Sequence, residues 1–434
     1  MCALIWYEIN KMLTDTAAKY VFAVLALWTV FSIYTDITQY RCNANEMVAG
    51  KYFGKRSYTG LKAIREIKRR YWGYTVDYTE FSVDTLRAAY RVCSKLHEDF
   101  AEEAQTADWS AFMRNERMER NSIKAELIYP LNVLCMVNTV AGLQRLEPAE
   151  EAIPDNFYDI LFDMRAYNNS FAPSQFEQDL LRQKCIGLSV PFRFEYCAGW
   201  EWVSGRFHRF AYWLPAIMLA FFALILKYED ESGMESFAFT TKYGRTKAVY
   251  AKTIAGLCII VFLYTAASFI YAAGILSIFG VEGGSCPVQI AGWTYMKPIP
   301  VYAVNLIQCC LLQYFLGLLV TVQSVLFFYF IFSLCRNYVI SLIAFLIPCY
   351  GVSFFTPPVN AVGTVAPIQK YIEGIGVNAL QAQKNFCGLI QGGDFIYFFG
   401  TSVLRVYGLI IIYAAVSVLL AGMSMYTYGR HRAD

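Results

Sequence analysis

The sequence is poor in charged residues. Asp, Glu, Lys and Arg make up 16% of the chain, against about a quarter of an average soluble protein, whereas 57% of the residues are hydrophobic. The net charge of +3 is too small to indicate a nucleic-acid partner. Several apolar runs reach the length of about 18 residues that a helix needs to cross a bilayer. We therefore expect an all-α, multi-pass membrane protein whose partners include the lipid bilayer but no nucleic acid.

Motifs for nucleotide or metal binding are missing as well. The chain has no phosphate-binding loop of the form GxxxxGK[ST], and its three histidines are scattered, without HExxH or Cys/His metal spacing. We expect no metal, no cofactor and no catalytic residue in this chain. Because a Ser-His-Asp site is defined by geometry and leaves no such motif, an enzyme with its site in residues 36–206 stays open as an alternative.

Cysteine, at 13 residues, is too sparse for a secreted disulfide scaffold. The cysteines within apolar runs are expected to pack as small apolar side chains. Cys185 and Cys197 are close enough in sequence to form a disulfide in an oxidising compartment, and we keep this pair as a candidate.

Six apolar runs predict six membrane-spanning helices. They cover about residues 17–35, 210–226, 251–279, part of 301–334, 338–355 and 406–425. We expect the fourth to begin with an interfacial or re-entrant segment, because its run exceeds one bilayer crossing. The first is interpreted as an uncleaved anchor rather than a signal peptide. Residues 1–16 show helical amphipathic spacing and predict an interfacial helix, with a polar lead-in as the alternative.

The polar residues divide the chain into regions. Roughly two thirds of the charged residues lie between positions 36 and 206, which predicts a mostly helical, soluble-type domain inserted between the first two spans. Lys and Arg in the short connections, including residues 227–252 and Arg336, fall on one side of a six-span chain. Both termini are therefore predicted to be cytoplasmic. Residues 36–206, and a loop of re-entrant type at residues 356–404, are predicted to be extracytoplasmic.

The centres of the predicted spans lack Asp, Glu, Lys and Arg, and we expect Lys252 and Arg405, at span ends, to reach the lipid headgroups. Carriers coupled to ions usually keep an ionisable residue at membrane depth. The energy for any transport is therefore expected to come from outside this chain. The amides of Gln308, Gln313 and Gln323 are candidates for a substrate path, and hydrogen bonds between helices are the alternative role.

Residues 228–250 form a dense polar hairpin between the second and third spans. An acidic stretch precedes a short amphipathic pattern, a break at Gly244 and a basic stretch. Such a hairpin can dock on a cytoplasmic partner and pass its motion to the spans. An ordinary charged loop that sets the membrane topology is the alternative.

The hairpin has the pattern Glu231-x-Gly233-x-Glu235, then Thr240-Thr241, Gly244-Arg245 and a Lys252 that enters the next span. This pattern resembles the segment after the second span in permeases of type-2 ABC exporters, and the resemblance covers residues 1–35 and 207–434. It implies a permease core at residues 207–434 and a coupling helix that docks on an ATP-binding subunit. The amphipathic lead-in also resembles the connecting helix of that family. The resemblance assigns coupling to the ATPase to Glu231, Gly233, Glu235, Thr241, Gly244, Arg245 and Lys252.

The resemblance implies a permease dimer, homomeric or heteromeric, with cytoplasmic ATPase subunits that hold ATP and Mg²⁺. The large insertion at residues 36–206 is similar to the branch that exports peptides, drugs or sodium. We expect a multi-pass protein of a bacterial plasma membrane that moves a peptide, a drug-like molecule or another amphipathic substrate outward. A membrane sensor or mechanotransmitter that responds to an extracellular ligand without net transport is the first alternative.

Overall fold

The computed structural model describes the chain in separate stretches. Most of residues 36–206 lies outside them, as do the predicted coupling residues Gly233, Glu235 and Thr241, so the helical character predicted for that domain stays a prediction. The described residues are 1–43, 80–81, 155–156, 179–180, 183, 187–189, 192–193, 197–231, 244–291, 300–335, 337–346, 379–392, 395–398 and 401–431.

The described part of the chain is mostly helical. Its helices are α1 Cys2–Thr14, α2 Thr16–Asn43, α3 Ala198–Tyr212, α4 Leu214–Glu231, α5 Val249–Phe279, α6 Leu306–Cys335, α7 Tyr338–Leu346, α8 Ala379–Lys384, α9 Phe386–Gly392 and α10 Arg405–His431. A π-helical turn, Gly244–Ala248, precedes α5. Two antiparallel strand pairs accompany them: β1 Glu80–Phe81 with β2 Phe192–Arg193, and β3 Phe395–Phe398 with β4 Thr401–Leu404.

Among the described residues, five helical segments are long and apolar enough to cross a membrane: Ala18–Thr38, Gly199–Leu224, Val249–Phe279, Leu306–Cys335 and Arg405–Arg430. The multi-pass membrane character predicted from the sequence is confirmed. The second segment combines α3 and α4, which are interrupted at Trp213. Pro215 accounts for the interruption, because it has no N–H to donate to the helix ladder.

Side-chain contacts define two ends of the helix bundle. At the first, Lys252 near the start of α5 lies 3.0 Å from the Tyr428 hydroxyl near the end of α10, and we call this the Lys252 end. At the second, Asp36 of α2 accepts a hydrogen bond from Tyr271 of α5, and we call this the Asp36 end. Phe22 and Trp28 of α2 pack against Phe221 and Trp213, respectively, and Phe210 and Phe222 lie against Tyr271 and Gly256 of α5. The segment that contains α3 and α4 is therefore antiparallel to both helices, so α2 and α5 run in the same direction.

Helix α6 lies at the centre and packs most extensively against α10, with further contacts to α3, α4 and α7. Its buried face includes Leu316, Val320 and Phe328. Helices α4 and α5 approach closely where Gly256 faces Phe222: an added Cβ on this glycine would lie 2.5 Å from the ring. A small residue at such a crossing lets two helix backbones come near each other, as is common in membrane bundles.

Helix α5 ends where Gly280 adopts φ 93°, a left-handed conformation that favours glycine. The chain then folds back before α6. The Val288 N–H donates to the Val304 carbonyl at 3.0 Å, and the buried Gln289 amide donates to the carbonyl of Tyr302 at 2.8 Å. The residues just before α6 are therefore a non-helical segment paired with the segment after α5, in the region where the sequence predicted an interfacial or re-entrant start.

Candidate functional site

Of the hairpin predicted to couple to a partner, the structure describes the two ends. Glu231 is the last residue of α4, and Gly244 and Arg245 open the π-helical turn that runs into α5. Gly244 is buried. The turn contacts both α5 and α10, so any displacement at this side of the hairpin reaches two of the long helices directly.

Lys252 is buried, with 7% of its surface exposed, although the sequence predicted that it reaches the headgroups. Its ammonium group donates a hydrogen bond to the Tyr428 hydroxyl at 3.0 Å and lies 5.2 Å from the centre of the Tyr428 ring. A buried cation is costly unless it is paired in this way. Arg405 is likewise 8% exposed instead of extended outward. Lys252 therefore joins the exit of the hairpin to the last long helix.

Helix α1 packs against both α5 and α2. Met12 is 1% exposed and Ile5 and Ile9 are partly buried against the core, whereas Trp6 and Tyr7 point outward and are more than half exposed. This amphipathic pattern is the one predicted for residues 1–16. Since α5 also follows residues 228–250 in the chain, the N-terminal helix contacts the same long helix into which those residues lead.

The Asp36 end holds a buried polar cluster that sequence reasoning missed. Asp36 is 7% exposed and accepts a hydrogen bond from the Tyr271 hydroxyl, while Arg206 and Arg209 lie within electrostatic range. The Tyr271 ring stacks on Phe210 with centroids 4.4 Å apart. Our predicted first span ended at residue 35, so Asp36 was assigned to the outer domain. The continued helix of α2 is the feature that places Asp36 inside the bundle.

The three candidate glutamines do not share one environment. Gln308 is exposed. Its side-chain oxygen accepts from the backbone N–H of Asn305 at 2.9 Å, and the Asn305 side chain accepts from the backbone N–H of Gln308 at 2.8 Å. This reciprocal pair caps the start of α6. Gln313 is buried, and one of its two amide orientations satisfies both ends of the group. In that orientation its nitrogen donates to the Ser204 carbonyl at 3.2 Å and its oxygen accepts from the backbone N–H of His208 at 3.1 Å. Gln313 therefore makes the kind of hydrogen bond between helices that was its alternative role.

Gln323 is 4% exposed, and its carbonyl oxygen has no hydrogen-bond partner among the residues that the structure describes. A further buried amide, Gln383 of α8, was not singled out from the sequence. Its only signal there was one polar residue in a short helical pattern, which does not distinguish burial from exposure.

Helix α9 contacts α3 through Cys387. The sulfur of Cys387 lies 3.6 Å from His208 Nδ1 and 3.8 Å from the carbonyl of Ser204. Within the described stretches no group of three His, Cys, Asp or Glu side chains is placed to hold a metal ion. Cys197, at the start of α3, is fully buried, and Cys185 lies outside the described residues, so their disulfide stays a prediction.

No protein-family model, no curated protein and no solved structure matches this chain. The functional argument therefore depends on the geometry of the bundle and on the residues of the hairpin.

Proposed function

We propose that this chain is the transmembrane permease subunit of an ATP-driven exporter of the type-2 ABC class, which moves an amphipathic molecule outward across a bacterial plasma membrane. The observation that carries the proposal is the buried contact between Lys252 and Tyr428, at 3.0 Å. It connects the exit of the polar hairpin to the last long helix. A partner that pushes on the hairpin would therefore move α5 and α10 together.

The mechanism assigns ATP and Mg²⁺ to cytoplasmic ATPase subunits and the response to this chain. Nucleotide binding draws the ATPases together and displaces the hairpin, residues 228–250. The displacement passes through the turn Gly244–Ala248 into α5, which packs against α1 and α2. Such a drive works only if the bundle has two packings of similar free energy. A second permease, either the same chain or a sister subunit, completes the complex.

Six crossings, with both termini in the cytoplasm, are part of the proposal. Two contacts support an additional crossing between α6 and α8. Helix α6 ends at the Lys252 end, where the hydroxyl of Ser333 lies 2.6 Å from that of Thr427. Helix α9 lies at the Asp36 end, because its Cys387 contacts α3 close to Arg206. The predicted span at residues 338–355, which begins with α7, supplies this crossing.

Co-purification tests the proposal. A tagged full-length chain is isolated from its native membrane in mild detergent, and ATPase subunits are identified by mass spectrometry. We expect an ATPase with the parent chain, and its loss with Arg245→Glu or with deletion of residues 235–241. The control is Lys384→Glu, which reverses an exposed cation at the Asp36 end and should leave the pairing unchanged.

A partner ATPase that is recovered equally with all of these variants would overturn docking through the hairpin. Failure of the parent chain to bring down any ATPase would overturn the exporter assignment itself. Where the pairing holds, net accumulation of a labelled candidate cargo in proteoliposomes separates export from sensing without transport.

A further inference from the structure

Gln383 is buried in the wall of the bundle. It lies in α8, which contacts α3 and α6. Gln383 itself is 1% exposed, and the apolar residues around it in sequence, Leu380 and Phe386, are at most 1% exposed. The two short helices α8 and α9 are therefore packed into the bundle, and they carry an amide side chain with them.

Neither the nitrogen nor the oxygen of the Gln383 amide has a hydrogen-bond partner among the described residues. A primary amide offers two donors and one acceptor oxygen with two lone pairs, and leaving a buried polar group unpaired costs about 1–3 kcal/mol. Gln313 shows the contrast, because both ends of its amide are bonded to α3. Leucine would fill nearly the same volume as Gln383 without this cost, so packing alone gives no reason for an amide at this position.

The groups around Gln383 converge on one point of α6. A Cβ added to Gly317 would overlap the hydroxyl of Tyr264 and lie 3.1 Å from Nε2 of Gln383. The Tyr264 hydroxyl is fully buried, donates to the carbonyl of Tyr314 at the long distance of 3.4 Å and lies beside the Ser268 side chain. Because Gly317 has no side chain, the amide of Gln383 and the hydroxyl of Tyr264 both lie next to the backbone of α6 at this position.

We propose that Gln383, Tyr264 and Gly317 form a recognition point for the amide group of an apolar peptide, which deepens the proposed function by naming the class of cargo. A peptide amide has one N–H donor and one carbonyl acceptor, and these complement the acceptor oxygen and the donor nitrogen of Gln383. The fully buried Leu316 and Val320, on the same helix as Gly317, supply apolar surroundings for the flanking side chains. The ligand has to displace α8 from α6, because the amide is closed off from solvent.

The test uses the purified full-length chain in lipid nanodiscs and two probes. The first is N-acetyl-leucyl-leucinamide; the second is its analogue in which an ester oxygen replaces the central N–H. Thermal unfolding midpoints are recorded with and without each probe at matched concentrations. We expect the amide probe to raise the midpoint of the parent protein and the ester probe to raise it clearly less, because the ester has lost the donor.

The variants are Gln383→Leu and Gln383→Met, with Gln391→Leu as a control that removes another buried amide, in α9. We expect both Gln383 variants to unfold at or above the parent's midpoint without a probe and to lose the preference for the amide probe. Gln391→Leu should keep that preference. An equal response to both probes, a preference that survives in the Gln383 variants, or failure of both Gln383 variants to fold would each overturn the proposal.

This experiment does not depend on an ATPase partner. Suppose that the Gln383 variants lose the amide preference but the parent chain pairs with no ATPase. That result would support the recognition point and contradict the exporter assignment. Normal pairing with an ATPase and no amide preference in the parent chain would overturn only the recognition point.

Discussion

Tyr271 of α5 donates its hydroxyl to the carboxylate of Asp36 of α2, a residue 235 positions earlier in the chain. Both side chains are buried within segments long and apolar enough to span a membrane. Arg206 and Arg209 of α3 lie within electrostatic range of the same carboxylate. A buried carboxylate needs such hydrogen bonds and cations to offset the loss of water, so this group ties three membrane helices together.

We predict that Tyr271→Phe lowers the free energy of unfolding by about 1–3 kcal/mol, because it leaves the buried carboxylate of Asp36 short of a donor. The measurement is denaturant unfolding of the purified chain in detergent. A double-mutant cycle of Asp36→Leu, Tyr271→Phe and the double variant isolates the coupling between the two side chains, because leucine removes the acceptor. Additive effects of the two changes would show that the hydrogen bond contributes nothing.

The Lys252 end allows a second prediction. Tyr428→Phe removes one hydrogen-bond acceptor of a buried ammonium group, whereas Lys252→Met removes the charge and keeps an apolar side chain of similar length. We expect Tyr428→Phe to lower the free energy of unfolding by about 1–3 kcal/mol and Lys252→Met by less, since the second leaves no buried charge that has lost a hydrogen bond. Tyr426→Phe, on an exposed tyrosine two positions away, serves as the matched control and should change little. The reverse order of the first two effects would contradict this account.

A third prediction concerns the close approach of α4 and α5. Gly256→Ala places a methyl group 2.5 Å from the Phe222 ring, and overpacking of this kind costs about 1–3 kcal/mol. Phe222→Leu in the same chain should recover part of the loss, because it removes the atoms that collide. Gly422→Ala in α10 is the control: nothing lies within 4 Å of an added Cβ there, so this change should be neutral or stabilising. Equal losses from both alanine variants would show that helix packing is not the cause.

The proposed orientation in the membrane gives a fourth prediction. Thr14→Cys, at the end of α1, and Val281→Cys, just after α5, introduce thiols at exposed positions at opposite ends of the bundle. In intact cells a membrane-impermeant maleimide should label Val281→Cys above the level of the parent protein. Thr14→Cys should gain label only after the membrane is permeabilised. The opposite pattern would place the hairpin outside the cell and overturn coupling to a cytoplasmic ATPase.

Much of the bundle could be predicted because its signal is local. The third span was expected at about residues 251–279, and α5 covers Val249–Phe279. The second was expected to begin at about residue 210, but the helical segment begins near Gly199, because Glu201 and Arg206 interrupt the apolar run without interrupting the helix. Polar side chains in such a helix are tolerated where they face neighbouring helices instead of lipid, and a hydropathy profile does not show which way a side chain faces.

The candidate sites were harder to predict. Gln308, Gln313 and Gln323 are chemically alike and lie on one helix. Yet the first caps it, the second bonds to α3, and the oxygen of the third has no hydrogen-bond partner in the part of the chain that the structure describes. Their roles differ because their neighbours differ, and those neighbours come from distant parts of the chain. Gln383 was overlooked for the same reason: its burial depends on the docking of α8 against α3 and α6.

The sequence by itself determined that this is a helical, multi-pass membrane protein with a polar segment between its second and third long helices. Bilayer thickness sets the length of an apolar run, and a chain in lipid must satisfy its backbone hydrogen bonds internally, so composition and length suffice for that conclusion. Only the tertiary structure decided that Asp36 meets Tyr271 and that Lys252 meets Tyr428, pairs separated by 235 and 176 positions. Contacts of this kind arise from how helices pack, and no local pattern encodes them.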